Sequence, residues 1–220
     1  MKNFIKKYGH AWILSYAFIY LPWFAYLERT ITTKYNVIHV ALDDYIPFNE
    51  YFVIPYFMWF AYVATAILYF FFTNKQDYYR LCAFLFIGMT ISLIICSIYP
   101  NGTDFRPLLD PDKNIFTAMV AHLYTIDTCT NVFPSIHVFN SIGVHISILH
   151  SEALSKYRWL RIGSFILMFS ICLSTVFLKQ HSIMDVIGAC LMARVLYQLV
   201  YKPETIFAYR RRPKGLPSET

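Results

Sequence analysis

Ser174-Thr175-Val176-Phe177-Leu178-Lys179-Gln180-His181-Ser182-Ile183-Met184-Asp185 lies where one long apolar run ends and the next begins. It gathers a lysine, a histidine and an aspartate where the chain turns round. A helix from Ile183 onward places His181 and Asp185 at i and i+4, so their side chains meet on one face. A carboxylate bonded to one imidazole nitrogen fixes the tautomer and leaves the other nitrogen free for chemistry. The competing account is an ordinary polar turn between membrane segments, since polar residues cluster in such loops.

Outward from this stretch the chain is hydrocarbon-like. Its 220 residues are 57% hydrophobic and 19% aromatic, and 15% are charged, against roughly 25% charged in soluble domains. A crossing needs about 20 mostly apolar residues, and six candidates run over 11–27, 51–72, 81–99, 133–150, 159–178 and 183–201. The expected fold class is an all-α membrane protein, six transmembrane helices in one bundle. Residues 1–10 form a cytoplasmic N-terminus, 11–201 the membrane domain, and 202–220 a basic cytoplasmic tail. The net charge of +6 does not point to nucleic acid, because the basic residues bracket the spans and form no stripe with aromatics.

Those charges also set an orientation. Lys2, Lys6 and Lys7 precede the first run, Lys75 and Arg80 separate the second and third, and Lys156, Arg158 and Arg161 separate the fourth and fifth. Lys202, Arg210, Arg211, Arg212 and Lys214 follow the sixth. Six crossings put all of these on one side, which the positive-inside rule makes cytoplasmic. The expectation is a multi-pass protein of the cell membrane with both termini inside. The turn around His181 then faces outward.

A second stretch, Asn131-Val132-Phe133-Pro134-Ser135-Ile136-His137, opens the fourth run, and Arg106-Pro107 lies in the long loop before it. In order, the three pieces resemble the signature of the type 2 phosphatidic acid phosphatase (PAP2) superfamily: Lys-x6-Arg-Pro, then Pro-Ser-Gly-His, then Ser-Arg-x5-His-x3-Asp. Arg106 and Pro107 match the first motif, Pro134, Ser135 and His137 the second, and Ser174, His181 and Asp185 the third. Three positions depart: Tyr99 stands where the first lysine falls, Ile136 replaces the glycine, and Thr175 replaces the arginine. The resemblance implies a PAP2-like core and a metal-independent lipid phosphatase that needs no cofactor. Its substrate is a lipid phosphate or polyprenyl diphosphate, and its partners are membrane lipids.

Phosphoryl transfer needs a nucleophile, an acid for the leaving oxygen, and positive or N–H groups around the equatorial oxygens. His181, supported by Asp185, is the expected nucleophile and forms a phosphohistidine; His137 is the expected general acid. The resemblance assigns these positions the same roles. Arg106 offers two parallel donors to phosphate, although a pairing with Asp104 accounts for a loop arginine equally well. Pro134 suits a helix's first turn, whose amides together with the Ser135 hydroxyl cradle a phosphate. Ser174 is a further donor, and Lys179 is the substitute for the missing cations, as a point charge rather than a fork.

The remaining residues are read more plainly. Residues 29–50 form an outer loop, and Pro55 marks a kink in the second span. The loop from about 100 to 132 carries Asp104, Asp110, Asp112 and Asp127 as solvated surface. His122 and Asp127 lack a metal spacing, and His145 and His150 serve packing or the inner surface. Cys129 is the only outer-loop cysteine, so no intramolecular disulfide is expected. Two other functions compete. A headgroup phosphotransferase of the sphingolipid-synthase kind would use the same residues with a lipid alcohol in place of water. A transporter or non-catalytic scaffold would carry ionisable residues near the midplane, where the runs hold almost none beyond Arg194.

Overall fold

A computed structural model describes residues 8–202; the basic residues Lys2, Lys6, Lys7, Arg210, Arg211, Arg212 and Lys214 lie outside the described residues, as does the tail beyond Lys202. A 3-10 segment, Gly9–Tyr16, runs into α1 (Ala17–Thr30), followed by β1 (Asn36–Val37) and α2 (Ala41–Tyr45). A 3-10 turn, Glu50–Phe52, enters α3 (Val53–Thr73), and α4 (Lys75–Ile98), β2 (Asn101–Gly102) and α5 (Ile115–Ile126) come next. The last three helices are α6 (Ile136–His150), α7 (Arg158–Phe177) and α8 (Ile183–Val200). Four helical segments are long and apolar enough to cross a membrane: Glu50–Thr73, Lys75–Ile98, Arg158–Phe177 and Ile183–Val200. Their outer faces leave Phe60, Phe72, Ile166 and Leu191 uncovered by protein, as lipid-facing surface requires.

The two other apolar runs fold differently from a simple span. Residues 11–27 divide between the 3-10 segment and the 14-residue α1. Pro22 lies inside α1 and cannot donate to the carbonyl one turn back. The run 133–150 yields a 15-residue helix that begins at Ile136, because Ser135 is its N-cap and Pro134 lies before it. Pro134 is therefore not in the first turn. Pro55 is the third residue of α3, where its missing N–H breaks no intrahelical bond, so it does not act as a mid-span kink.

Helix α6 is the centre, packing on α3, α4, α7 and α8. Its fit to α4 is reciprocal. Phe84 of α4 and Phe139 of α6 stack with centroids 4.8 Å apart, and each fills the space left by a glycine on the other helix. A Cβ on Gly88 would fall 2.1 Å from Phe139, and one on Gly143 would fall 2.7 Å from Phe84. Glycine here permits close approach of two backbones. Further along α6, His145 Nδ1 lies 2.9 Å from Ser164 Oγ, which is 2.6 Å from the Tyr62 hydroxyl. That cluster joins α6, α7 and α3 inside the bundle.

Helices α3 and α4 meet at a tight corner, where Asn74 caps α4 by accepting from the N–H groups of Gln76 and Asp77. The starts of α3, α6 and α8 and the end of α7 all lie at the opposite end of the bundle. There the loops gather: β1 pairs with β2 in parallel, and Gly102 bridges to Thr130. The described cations Lys75, Arg80, Lys156, Arg158 and Arg161 sit in or beside the turns of the other end.

Candidate functional site

The chain leaves α7 through Lys179, which adopts a left-handed conformation (φ 54) that side-chain-bearing residues seldom take. This reversal lets both Gln180 N–H and His181 N–H donate to the Thr175 carbonyl at 3.0 Å. Ser182 then caps α8 in a capping box: its hydroxyl accepts from Met184 N–H, and Asp185 accepts from Ser182 N–H at 2.9 Å. The same Asp185 oxygen stands 3.2 Å from His181 Nδ1. Asp185 is fully buried and His181 nearly so. The i, i+4 pairing thus comes with a helix cap that holds the carboxylate in place.

The second histidine is positioned by loop contacts. Asn101, fully buried, accepts from the N–H groups of Val132 and Phe133 at 3.0 and 2.8 Å. Ser135 N–H donates to the Asp185 carbonyl at 3.2 Å, joining the start of α6 to the first turn of α8. His137 then packs between Tyr56 and Trp59 of α3, with ring centroids at 4.6 and 4.3 Å. Its ring meets that of His181 edge-on, centroids 5.7 Å apart. His137, His181 and Asp185 are therefore together at one end of the bundle.

Both imidazoles line a cavity of about 40 Å³ with Glu28, Asp127, Thr130 and Gln180 in its wall. That is room for about three water centres, on the scale of a phosphoryl group's three equatorial oxygens. Asp127 is not solvated surface: it accepts the Tyr56 hydroxyl and faces the histidines. Glu28 accepts from the Thr128 hydroxyl and from Asn131 at 2.7 Å. Two carboxylates in the wall favour a ligand of low negative charge.

The expected phosphate-holding residues do not join them in the cavity wall. Arg106 donates to the carbonyls of Asp127 and Thr128 at 2.9 and 2.7 Å and to the Gln180 side chain, and it stacks over Tyr124 at 4.5 Å. It pairs with carbonyls rather than with Asp104 and braces the cavity roof through its two terminal nitrogens, while Nε has no partner among the described residues. Burial pushes the Tyr124 phenol up to about 12; it stays protonated and donates to the Leu178 carbonyl at 2.7 Å. Lys179 donates to the Asp43 carbonyl at 2.6 Å and lies over Phe105. Ser174 bonds backward to Ile171 at 2.6 Å, and the Ser135 hydroxyl caps Val138. Ile136, in the glycine's place, lines the cavity.

Asp43 was invisible to sequence reasoning. Its carboxylate accepts the Ser182 hydroxyl at 2.6 Å and Ile183 N–H at 2.9 Å, from 139 and 140 residues away. An anion at the positive end of α8 suits the helix dipole. Nothing local marks Asp43 among the residues between the first two apolar runs, nor Glu28 at the end of an apolar run. Among the described residues, no group of three or more His, Cys, Asp or Glu is arranged to hold a metal ion.

A scan against protein-family models, a search of curated proteins and a search of solved structures each find no match to this chain. The likeness to PAP2 phosphatases rests on the motif residues alone.

Proposed function

We propose that this chain is a PAP2-type membrane phosphatase that releases phosphate from a lipid phosphate through a phosphohistidine. The observation that carries the reading is the convergence of His137, His181 and the Asp185-bound Nδ1 on one cavity, with the two rings 5.7 Å apart. The attacking nitrogen must come within about 3–3.5 Å of phosphorus while the acid reaches the leaving oxygen, and two rings in the wall of one small cavity can share such a ligand. His181 Nε2, left free by the Asp185 contact, attacks phosphorus, and the bond from phosphorus to the lipid oxygen breaks. His137 gives its proton to that oxygen. Water, losing a proton to His137, then cleaves the P–N bond, so lipid phosphate and water become lipid alcohol and phosphate. The Ile136 and His137 amides, the first-turn N–H groups of α6 that the Ser135 cap does not take, support the phosphoryl oxygens where cations are absent.

In this reading the Gly9–Thr30 segment and α6 are two further crossings, making six. Both termini are cytoplasmic and the cavity faces outward, because the described basic turns lie at the bundle end away from the histidines. A second reading has a specific observation in its favour. Glu28 and Asp127 oppose a doubly charged phosphate, which suits a singly charged phosphodiester and hence a headgroup phosphotransferase.

The test is phosphate release by purified protein from a panel of lipid phosphates, with and without chelator and acceptor lipid. We expect release from at least one, insensitive to chelator, and reduced about a thousandfold or more in His181→Ala. Turnover that requires an acceptor lipid would select the transferase. Activity that survives His181→Ala would overturn both.

A further inference from the structure

A second cavity, of about 410 Å³, opens beside the first between the 3-10/α1 segment, α3, α4 and α6. Ile136 lines both. Trp59, also in its wall, packs on His137 with ring centroids 4.3 Å apart and planes tilted by 52°. Its size is that of a ligand pocket, and its wall is almost wholly hydrocarbon, with Tyr20, Leu85, Phe86 and Met89 among the lining residues.

One feature of that wall is out of keeping with a purely hydrocarbon occupant. Asn140 lines the cavity, is 2% exposed, and has no hydrogen-bond partner for Oδ1 among the described residues. The Trp59 indole N–H is likewise buried without a partner. A carboxamide offers a donor and an acceptor whichever way it is turned. Leaving such groups unpaired in an apolar wall is costly, and native proteins rarely do so without reason. Asn140 follows His137 by three residues on α6, so it lies about 4.5 Å further along the helix axis. That is the span of about three to four bonds along an extended lipid from its phosphate ester oxygen.

We propose that this groove holds the chain of the lipid substrate, and that Asn140 reads a hydroxyl or secondary amide close to the phosphate. The inference rests on the phosphatase reading and deepens it by naming the substrate class. A polyprenyl or plain alkyl phosphate leaves Asn140 and Trp59 unpaired; a lipid with a hydroxyl or acylamino group beside the phosphate-bearing carbon satisfies them. Recognition by a buried polar group discriminates strongly against analogues that lack the partner.

The experiment compares hexadecyl phosphate with its 2-hydroxy and 2-acylamino analogues on the full-length protein, reading kcat/KM for phosphate release. We expect at least one substituted analogue to exceed the plain chain by about tenfold or more. Asn140→Leu, close in volume, brings that ratio to within about twofold. Binding of the three corresponding phosphonates, which needs no turnover, is measured in parallel by displacement of a fluorescent lipid. Preference among phosphonates with no phosphate released from any substrate would defeat the phosphatase reading and leave the groove standing. Equal kcat/KM and equal phosphonate affinity in the unmodified protein would overturn the groove, with no variant needed. A preference that persists in a folded Asn140→Leu protein would overturn the role given to Asn140.

Discussion

Helix α6 carries two polar centres that invite comparison. His145, deep in the bundle, has its Nδ1 on Ser164, and Ser164 is in turn bonded to Tyr62. His137, two turns nearer the loop end, has a buried Nδ1 with no partner among the described residues, and Asn140 Oδ1 beside it is equally unmatched. The same helix thus holds one satisfied cluster and one unsatisfied one. Buried polar groups that find each other fasten helices together; those left open call for a water, a ligand or a catalytic role to account for them. Both centres contain a histidine, so residue type alone does not tell them apart.

Substitutions at the two centres test that contrast. The largest effect is expected at the open one: His137→Asn lowers kcat for phosphate release about a hundredfold to ten-thousandfold, while thermal stability in detergent stays near wild type. A normal turnover rate in this variant would break the comparison. Next comes Asp43→Ala, which leaves the Ser182 hydroxyl and Ile183 N–H without their acceptor. It should lose about 2–3 kcal/mol of stability and reduce turnover as well, because the start of α8 carries Asp185; chemical denaturation beside the activity assay reads both. The smallest effect is expected at the closed centre. Ser164→Ala strands His145 and Tyr62 and costs about 1–2 kcal/mol, seen as a lower melting temperature with kcat unchanged. A fall in kcat there would make His145 part of the reaction rather than of the scaffold.

How much of this was legible in the chain follows from the range of each interaction. His181 and Asp185 are four residues apart and capped locally, so their meeting follows from helix geometry. The apolar runs likewise pointed to an all-α membrane class, in keeping with the four described helical segments long and apolar enough to cross a membrane. Asp43 reaches Ser182 across 139 residues, and Glu28 reaches Asn131 across 103; no pattern in sequence records such a pairing. Arg106 and Lys179 show a related limit. Their charge suggested phosphate, but in the folded chain their donors go to carbonyls and the Gln180 side chain. Hydropathy marked 133–150 as one run without showing that Pro134 and Ser135 form the approach to the helix rather than its body.

The main-chain bond from Ser135 to the Asp185 carbonyl acts as a strut between two shafts. A sideways push that tilts α6 or α8 must pivot the two about the point this strut shares between them. The main-chain points from which the two histidine segments spring are thus tied by a bond that no side-chain rotation can slacken.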